Sequence, residues 1–126
     1  MMWPWPRRSR TLGQQGEDIV AWWLRWRRFR ILGRNVQLGR YEIDIIARKG
    51  DTVVFVEVKT RRDDTVASPE ENVTATKRRH IRAAAHTYIA AQGDSHCYYR
   101  FDIASVVVPE RGKPVVTYYP DAFRDE

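Results

Sequence analysis

The spacing of apolar residues along the chain predicts two helices and five strands. A helical spacing recurs over residues 14–29, where Ile19, Val20 and Leu24 are among the apolar positions. Three strand patterns follow, and a second long helical pattern separates them from two more strands. The predicted elements are a helix over 14–29, strands over 31–38, 40–48 and 52–61, a helix from Ser68 to near Gly93, and strands over 97–108 and 115–119. This order, α-β-β-β-α-β-β, indicates an α/β domain with a mixed central β-sheet flanked by helices.

The second helix has a strong start signal in the sequence. Ser68 suits the N-cap, Pro69 suits the first helical position, and Glu71 three residues after the serine completes a capping box. We expect this helix to run through Val73 and to end near Gly93, which would serve as its C-cap.

A tight turn over residues 50–51 predicts a hairpin between the second and third strands. If the turn is centred between these two residues, Asp44 faces Glu57 and Glu42 faces Lys59. Directly opposed side chains on one face of a hairpin lie about 4.5–5.5 Å apart at Cβ. Strand alternation therefore gathers four charged groups on one face, at the end of the hairpin far from its turn.

Apolar residues surround these charged groups on both faces of the predicted sheet. Their own face also carries Ile46, Val53 and Phe55 near the turn. The other face is expected to carry Ile43, Ile45, Val54, Val56 and Val58. Charges set into a buried sheet are costly unless they pair, accept hydrogen bonds or bind a metal.

A divalent cation would explain why two acids face each other. Like charges directly opposite each other destabilise a hairpin, and a cation between Asp44 and Glu57 would reverse the sign of that effect. Carboxylate oxygens favour Mg²⁺ or Mn²⁺ over Zn²⁺. Such a metal polarises a phosphoryl oxygen and lowers the pKa of a bound water. Lys59, on the same face, could hold that water or stabilise charge developing on a phosphate.

A structural ion cluster is the alternative explanation of the same residues. In that case Glu42 pairs with Lys59, while Arg40 or Arg100 neutralises Asp44. A shift of one residue in the register of the hairpin would remove this arrangement of charges.

Asp102 lies between apolar neighbours in the fourth predicted strand. A buried carboxylate needs a partner, and Arg100 and Arg61 are the candidates. We therefore expect a structural pairing there and no catalytic role. Zinc is not expected, because no metal-ligand spacing relates the three histidines.

The formal net charge of +6 is concentrated in the first third of the chain. Residues 1–40 carry nine arginines against Glu17 and Asp18 as their only acids. This asymmetry indicates a polyanionic partner, although a solvated helix face with a basic tail would give the same pattern. A second basic run, which includes Lys77 and Arg78, lies early in the second helix and suits either phosphate contact or simple solvation.

Length and cysteine content suggest the compartment and the domain organisation. The chain has 126 residues and one cysteine, Cys97, so it can form no internal disulfide, which is typical of the reducing cytoplasm. No apolar stretch approaches the roughly 18–20 residues that span a bilayer, and the first residues lack the apolar core of a signal peptide. We expect a cytoplasmic protein outside the membrane, with residues 1–12 as a flexible basic arm rich in Trp, Pro and Arg, and residues 13–126 as a single domain.

Asp44, followed after an apolar run by Glu57, Val58 and Lys59, resembles the PD-(D/E)XK nuclease signature. The preceding helix with Glu17 resembles the extra helical acid of Holliday-junction-resolvase-like members. Over residues 13–119 the chain resembles the small uncharacterised bacterial YraN-type family of endonuclease-like proteins. The matching segments include 16–18, 31–32, 42–47, 55–61, Lys77 and 100–102, whereas Tyr41 stands where a glycine is usual.

The resemblance implies a restriction-endonuclease-like fold and a metal-dependent site. It implies a metal held by Asp44, Glu57 and the carbonyl of Val58. It gives Lys59 the role of catalytic base or electrostatic group, and Glu17 that of orienting water or a second metal.

Beyond the metal site, the nucleic-acid contacts are expected at three basic residues. They are Arg61, Lys77 and Arg78.

These expectations predict a Mg²⁺- or Mn²⁺-dependent nuclease that hydrolyses phosphodiester bonds in DNA, with branched or damaged structures as substrates. One alternative is a nucleic-acid-binding module that keeps the nuclease fold without catalysis. Another is a protein-interaction scaffold that uses the tryptophans of the first helix. The expected partner is nucleic acid, with DNA favoured over RNA, and a homodimer remains open.

Overall fold

The computed structural model describes residues 10–63, 73–92 and 96–124, which form two helices and five strands. In chain order these are α1 (Leu12–Trp26), β1 (Arg30–Leu38), β2 (Tyr41–Lys49), β3 (Thr52–Arg61), α2 (Ala75–Gln92), β4 (Tyr98–Val107) and β5 (Val115–Phe123). The predicted class, a mixed sheet with helices in the order α-β-β-β-α-β-β, is confirmed within the described ranges. None of the helices in these ranges combines the length and the apolar character needed to cross a membrane.

The five strands lie in the sheet in their chain order, β1-β2-β3-β4-β5. All neighbouring pairs are antiparallel except β3 and β4, which run parallel. A parallel pair cannot be joined by a tight turn, and α2 lies in the connection between these two strands. The helix that returns the chain therefore comes to cover one face of the sheet.

Each face of the sheet is covered by one helix and has its own apolar core. The α1-side core is formed by Ile19, Val20, Ala21, Leu24, Ile45, Ala47, Val54, Val56, Ala104, Val106 and Val108. The α2-side core is formed by Ile43, Ile46, Val53, Phe55, Val73, Ile81, Ala84, Ala85, Phe101, Ile103 and Phe123. The central strands are therefore buried on both faces, so any charge set into them needs a partner.

Helix α1 begins and ends earlier than the sequence predicts. Thr11 Oγ1 accepts a hydrogen bond from the backbone N–H of Gln14 at 3.1 Å, and Gln14 Oε1 accepts one from the N–H of Thr11 at 3.0 Å. This capping box fixes the start of the helix ahead of Gln14, the predicted first residue. At the other end, Arg28 adopts a φ of 69°, a left-handed conformation that stops the helix before Phe29.

The start predicted for α2 lies partly outside the described residues. Ser68, Pro69 and Gly93 fall there, so their predicted capping roles remain predictions. The inclusion of Val73 in the helix was wrong, because α2 begins at Ala75. Thr74 Oγ1 accepts a hydrogen bond from the N–H of Lys77 at 3.1 Å, so a threonine cap starts the helix after Val73.

Strand β5 continues to Phe123, beyond the predicted end at Tyr119. A register shift between Phe101 and Ile103 accommodates additional residues of β5, among them Asp121 with a φ of 53°. Such a bulge hides the continuation of a strand from pattern analysis, because the side-chain alternation is interrupted.

The predicted register of the β2–β3 hairpin is confirmed over the part that pairs. Ile46 faces Phe55 and Ile45 faces Val56, as a turn centred between residues 50 and 51 requires. The pairing stops at Ile45 and Val56, so Asp44 and Glu57 lie just beyond the last paired position. The strands part at the position where the sequence predicts the charged groups.

Ile43 lies on the face opposite to the one predicted. It packs in the α2-side core with Ile46, whereas Ile45 packs in the α1-side core. The neighbouring strand turns at the same level, since Asn35 of β1 has a φ of 49°. This interruption of the alternation lies at Asp44 and distinguishes the end of the hairpin from a regular ladder.

Candidate active site

Asp44 stands at the point where β2 and β3 separate, and its carboxylate bridges the gap. Asp44 Oδ2 accepts a hydrogen bond of 2.8 Å from the backbone N–H of Val58. A side chain thus takes the place of a ladder hydrogen bond beyond the last pair, Ile45 and Val56. The acid is held by backbone and lies next to the strand that carries Glu57 and Lys59.

Glu57 lies on the α2 side of the sheet and is almost completely buried. Its register partner on β4 is Ile103, a member of the α2-side core, and the residue itself is 6% exposed. Lys77, in the first turn of α2, places its Nζ 3.7 Å from Glu57 Oε1. The sequence predicts Lys77 as a contact for nucleic acid, and the structure places its ammonium group beside the buried acid.

Both acids have raised pKa values, and burial is the largest cause for each. Burial, and then the charge of Asp44, raise the pKa of Glu57 to about 7. Burial chiefly raises the pKa of Asp44 as well, although the N–H of Val58 and the charge of Lys77 act in the opposite direction. Burial thus disfavours the ionised form of both acids, and the nearby lysines offset this effect only in part.

Lys59 acts on both acids. Its positive charge lowers the pKa of Asp44 and that of Glu57. Strand alternation puts it on the face of Glu57, as the sequence predicts. The N–H of Val58 is committed to Asp44, and the predicted role of the Val58 carbonyl as a ligand remains a prediction.

Glu17 reaches the same region from α1. Burial raises its pKa, followed by the charge of Asp44, while a hydrogen bond with the Asn35 side chain lowers it. Its Oε1 is buried and accepts no hydrogen bond from any residue in the described ranges. A buried carboxylate oxygen without a donor is costly, so this atom suits a water or a cation.

A glycine allows Glu17 to come this close. A Cβ added at Gly16 would overlap the side chain of Thr60 on β3, so α1 and β3 approach each other more closely than any other residue would allow. Gly16 and Asn35 are two functional positions that the sequence reasoning did not single out for this role. The adjacent glycine and acid, and an asparagine tolerant of left-handed backbone, were the available signals.

These oxygen atoms fit a hard divalent cation as an incomplete ligand set. Across the described ranges, His, Cys, Asp and Glu form no cluster of three suited to a metal. Magnesium commonly uses one or two carboxylates and takes its other ligands from water and substrate phosphate. Asp44 and Glu57 supply two carboxylates whose pKa values are raised chiefly by burial, and Glu17 adds a buried oxygen without a donor.

The other two predicted nucleic-acid contacts differ in their surroundings. Arg61, at the end of β3, lies on the face of Glu57 by strand alternation and is half-buried. Arg78 points elsewhere, because its Nε donates to the Val73 carbonyl at 3.0 Å and its guanidinium lies 5.6 Å from the ring centroid of Phe123. The structure thus separates Arg78 from the acids and uses it to hold the start of α2.

Asp102 has the structural pairing that the sequence predicts. Its oxygens accept two hydrogen bonds of 2.9 Å from Arg100, one from the Tyr118 hydroxyl, and one of 2.8 Å from the N–H of Asp121. Because Arg100 is committed here, it is not the partner of Asp44. The structural ion cluster considered above therefore loses one of the two cations proposed for Asp44.

Comparisons with known proteins identify relatives along most of the chain. Residues 16–106 match the model of the family described as "Uncharacterised protein family UPF0102". A UPF0102 protein of Geotalea uraniireducens (strain Rf4) is 39% identical over 115 residues, which cover 91% of each chain. One from Caldicellulosiruptor saccharolyticus is 42% identical over 98 residues, covering 78% of this chain and 83% of the relative. These names state a family and no activity.

Proposed function

We propose that this chain, which belongs to the uncharacterised protein family UPF0102, is a divalent-metal-dependent nuclease that hydrolyses phosphodiester bonds in DNA. The observation that carries the proposal is the pair of acids where β2 and β3 part, the half-buried Asp44 and the buried Glu57. Lys59 and Lys77 accompany them, and Glu17 approaches from the opposite side of the sheet. A restriction-endonuclease-like fold of the PD-(D/E)XK type is part of the same proposal.

In this proposal Asp44 and Glu57, with the Val58 carbonyl, would hold Mg²⁺ or Mn²⁺. When bound, such an ion acts as a Lewis acid toward a phosphoryl oxygen and lowers the pKa of a coordinated water. The N–H of Val58 fixes the Asp44 carboxylate, so its second oxygen keeps a constant direction.

The cations of the chain orient and stabilise the reacting groups. Lys59 holds the attacking water or stabilises the charge that builds on the phosphate. Lys77 neutralises part of the charge of Glu57 in the free protein, and its 41% exposed side chain is free to turn toward a phosphate. Glu17, with a buried oxygen that needs a donor, orients a water on the α1 side.

Branched or damaged DNA is the proposed substrate and the cytoplasm the proposed compartment. The cytoplasm keeps the single thiol of Cys97 reduced.

Cleavage of DNA in the presence and absence of metal tests the proposal directly. Purified protein with Mn²⁺ should nick plasmid and four-way-junction DNA, and EDTA should abolish the activity. Asp44→Asn and Lys59→Ala should each lower the rate by at least about 10²-fold, in line with the loss of a metal ligand or a charge-stabilising group. Asp51→Asn, which changes an exposed acid at the opposite end of the same hairpin, is the matched control and should cleave normally. Activity that survives both substitutions in the site would refute the proposal.

A nucleic-acid-binding module without catalysis is the second candidate. It is favoured by the absence of a three-ligand cluster in the described ranges and by the contact of Lys77 with Glu57. It predicts DNA binding that weakens steeply with salt, and no difference between wild type and Asp44→Asn in a calorimetric Mn²⁺ titration. A Mn²⁺ affinity that Asp44→Asn abolishes would favour the nuclease.

A further inference from the structure

The rings of Tyr41 and His80 stack on each other at the end of the sheet that carries the two acids. Their centroids lie 4.1 Å apart, and the ring planes differ by 13°. Tyr41 is the first residue of β2 and packs against the α2-side core, while His80 belongs to α2. Both residues are half-buried, so the stacked pair covers the core at this point and still reaches the surface.

The stacked pair lies close to the candidate active site along both of its elements. Tyr41 precedes Asp44 by three residues of β2, which corresponds to roughly 10 Å at ~3.3 Å per residue. His80 follows Lys77 by three residues, so the two side chains are neighbours on one face of α2. Lys77 Nζ lies 3.7 Å from Glu57 Oε1. The part of α2 that reaches the buried acid therefore also carries the ring that stacks on Tyr41.

The imidazole of His80 has room for a further ring. Tyr41 covers one of its faces, so the exposed part of the residue lies at its edge and on its outer face. Thr76 and Ala83, about one helical turn before and after His80, have small side chains at exposed positions. A flat ring can therefore approach the imidazole without displacing a large side chain of α2.

Cations border the stacked pair on both of its elements. Arg40 directly precedes Tyr41, and Lys77 and Arg79 lie beside His80 in the sequence of α2. Arg40 and Arg79 are exposed, and neither forms an ion pair with an acid in the ranges that the structure describes. An aromatic surface bordered by cations is typical of sites that bind single-stranded nucleic acid.

We propose that an unpaired nucleobase next to the cleaved phosphate stacks on the Tyr41–His80 pair, which makes DNA with an unpaired nucleotide the substrate of the site. A base within a duplex is stacked on both faces and reaches such a surface only if it leaves the helix, whereas a base that is already single-stranded avoids most of that cost. The cations beside the pair contact the phosphates of the same strand. This inference rests on the proposed nuclease function, because it states which phosphodiester bonds the acids reach.

The fluorescence of 2-aminopurine tests the contact directly, because stacking quenches this base analogue. A DNA duplex carries it in a single-stranded gap, and EDTA prevents cleavage. Binding of wild type should lower the fluorescence. His80→Ala should remove most of that decrease and weaken binding of the gapped duplex about tenfold. His86→Ala, the same substitution at an exposed position further along α2, is the matched control and should behave as wild type does. No decrease with wild type, or an equal decrease with His80→Ala, would overturn the proposal.

Two further variants separate base stacking from a role in the packing of α2. His80→Phe keeps an aromatic ring on Tyr41 and should preserve the quenching, whereas His80→Leu keeps an apolar contact without a ring and should lose it. Thermal unfolding should give both variants a Tm close to that of wild type. Quenching that is lost in both variants, or preserved in both, would refute a stacking contact at position 80.

Cleavage in Mn²⁺ distinguishes a failure of this inference from a failure of the proposed nuclease function. Wild type should cleave the gapped duplex at the gap at least about tenfold faster than the intact duplex of the same sequence, and His80→Ala should lose that preference. Equal rates on the two duplexes would overturn the inference and leave the nuclease function in place. Quenching in EDTA without any cleavage in Mn²⁺ would overturn the nuclease function and with it the proposed substrate.

Discussion

Glu57 shows how a single buried acid links stability to the proposed chemistry. Its pKa is raised from the ordinary value of 4.5 to about 7, first by burial and then by the charge of Asp44. A group with a pKa raised by folding favours the folded state when it is protonated. The stabilisation is therefore fully present below about pH 4.5 and is lost as the pH rises through about 7.

The metal-free protein should therefore be less stable at pH 8 than at pH 5.5. Between these two pH values wild type should lose free energy of unfolding on the order of 1–2 kcal/mol through the ionisation of Glu57. Glu57→Gln should remove this loss, because the amide does not ionise. Urea unfolding in EDTA at the two pH values measures it, and Mn²⁺ should restore the stability of wild type at pH 8. Asp51→Asn changes an exposed acid and is the control; its stability should depend on pH as that of wild type does. A Glu57→Gln variant with the same pH dependence of stability as wild type would contradict this explanation.

Residues that belong to one hairpin could be predicted from the sequence, and residues that reach the site from elsewhere could not. The register that places Asp44 and Glu57 at the same level follows from the turn over residues 50–51 alone. The contact between Lys77 and Glu57 depends on where α2 docks on the sheet, which no local pattern encodes. The face of Ile43 was mispredicted for a related reason, since the interruption of alternation involves Asn35 on another strand.

Among the elements, α1 positions Glu17 only because it lies very close to β3. The absence of a side chain at Gly16 makes this approach possible, since a Cβ there would overlap the side chain of Thr60. The apolar spacing of α1 predicted a packed helix, but spacing carries no information about the distance between a helix and a sheet. That distance is set by Gly16, which lacks a Cβ at the point of contact with Thr60.

Gly16→Ala should destabilise the protein by about 1–3 kcal/mol, because the added methyl group forces α1 and β3 apart. Gly13→Ala is the matched control within the same helix, since nothing lies within 4 Å of a Cβ there. It should be neutral, or stabilising by about 0.5–1 kcal/mol through the higher helix propensity of alanine. Thermal or urea unfolding of the two variants measures the difference. If Gly16→Ala is as stable as Gly13→Ala, the close approach does not constrain α1.

Partial recovery with a smaller residue at position 60 would identify the contact. The double variant Gly16→Ala/Thr60→Ala should regain part of the stability that Gly16→Ala loses, because the two changes act on the same contact. If the losses of stability from Gly16→Ala and Thr60→Ala simply add in the double variant, the destabilisation by Gly16→Ala does not arise from this contact.

At the scale of the whole molecule, the basic first third of the chain is a smaller binding surface than its charge suggests. Arg10 and Arg34 both pair with Asp18, at 3.0 Å and 2.7 Å. Arg27 lies 3.5 Å over the ring of Trp23. At least these three arginines therefore contribute to packing around α1. The sequence showed the charge asymmetry correctly, but not that part of it is used within the fold.

The phosphate contacts of a DNA substrate should consequently come from the face that carries the acids. Arg61 lies there at the end of β3, whereas Arg25 lies on the outside of α1. Each phosphate contact contributes about 0.9 to the slope of the logarithm of DNA affinity against the logarithm of salt concentration. Arg61→Gln should lower that slope by about 1, while Arg25→Gln, with the same loss of charge, should leave it unchanged. Fluorescence anisotropy with labelled DNA in EDTA measures binding without cleavage. An equal effect of the two variants would mean that DNA responds to the net charge of the molecule and not to the face that holds Glu57.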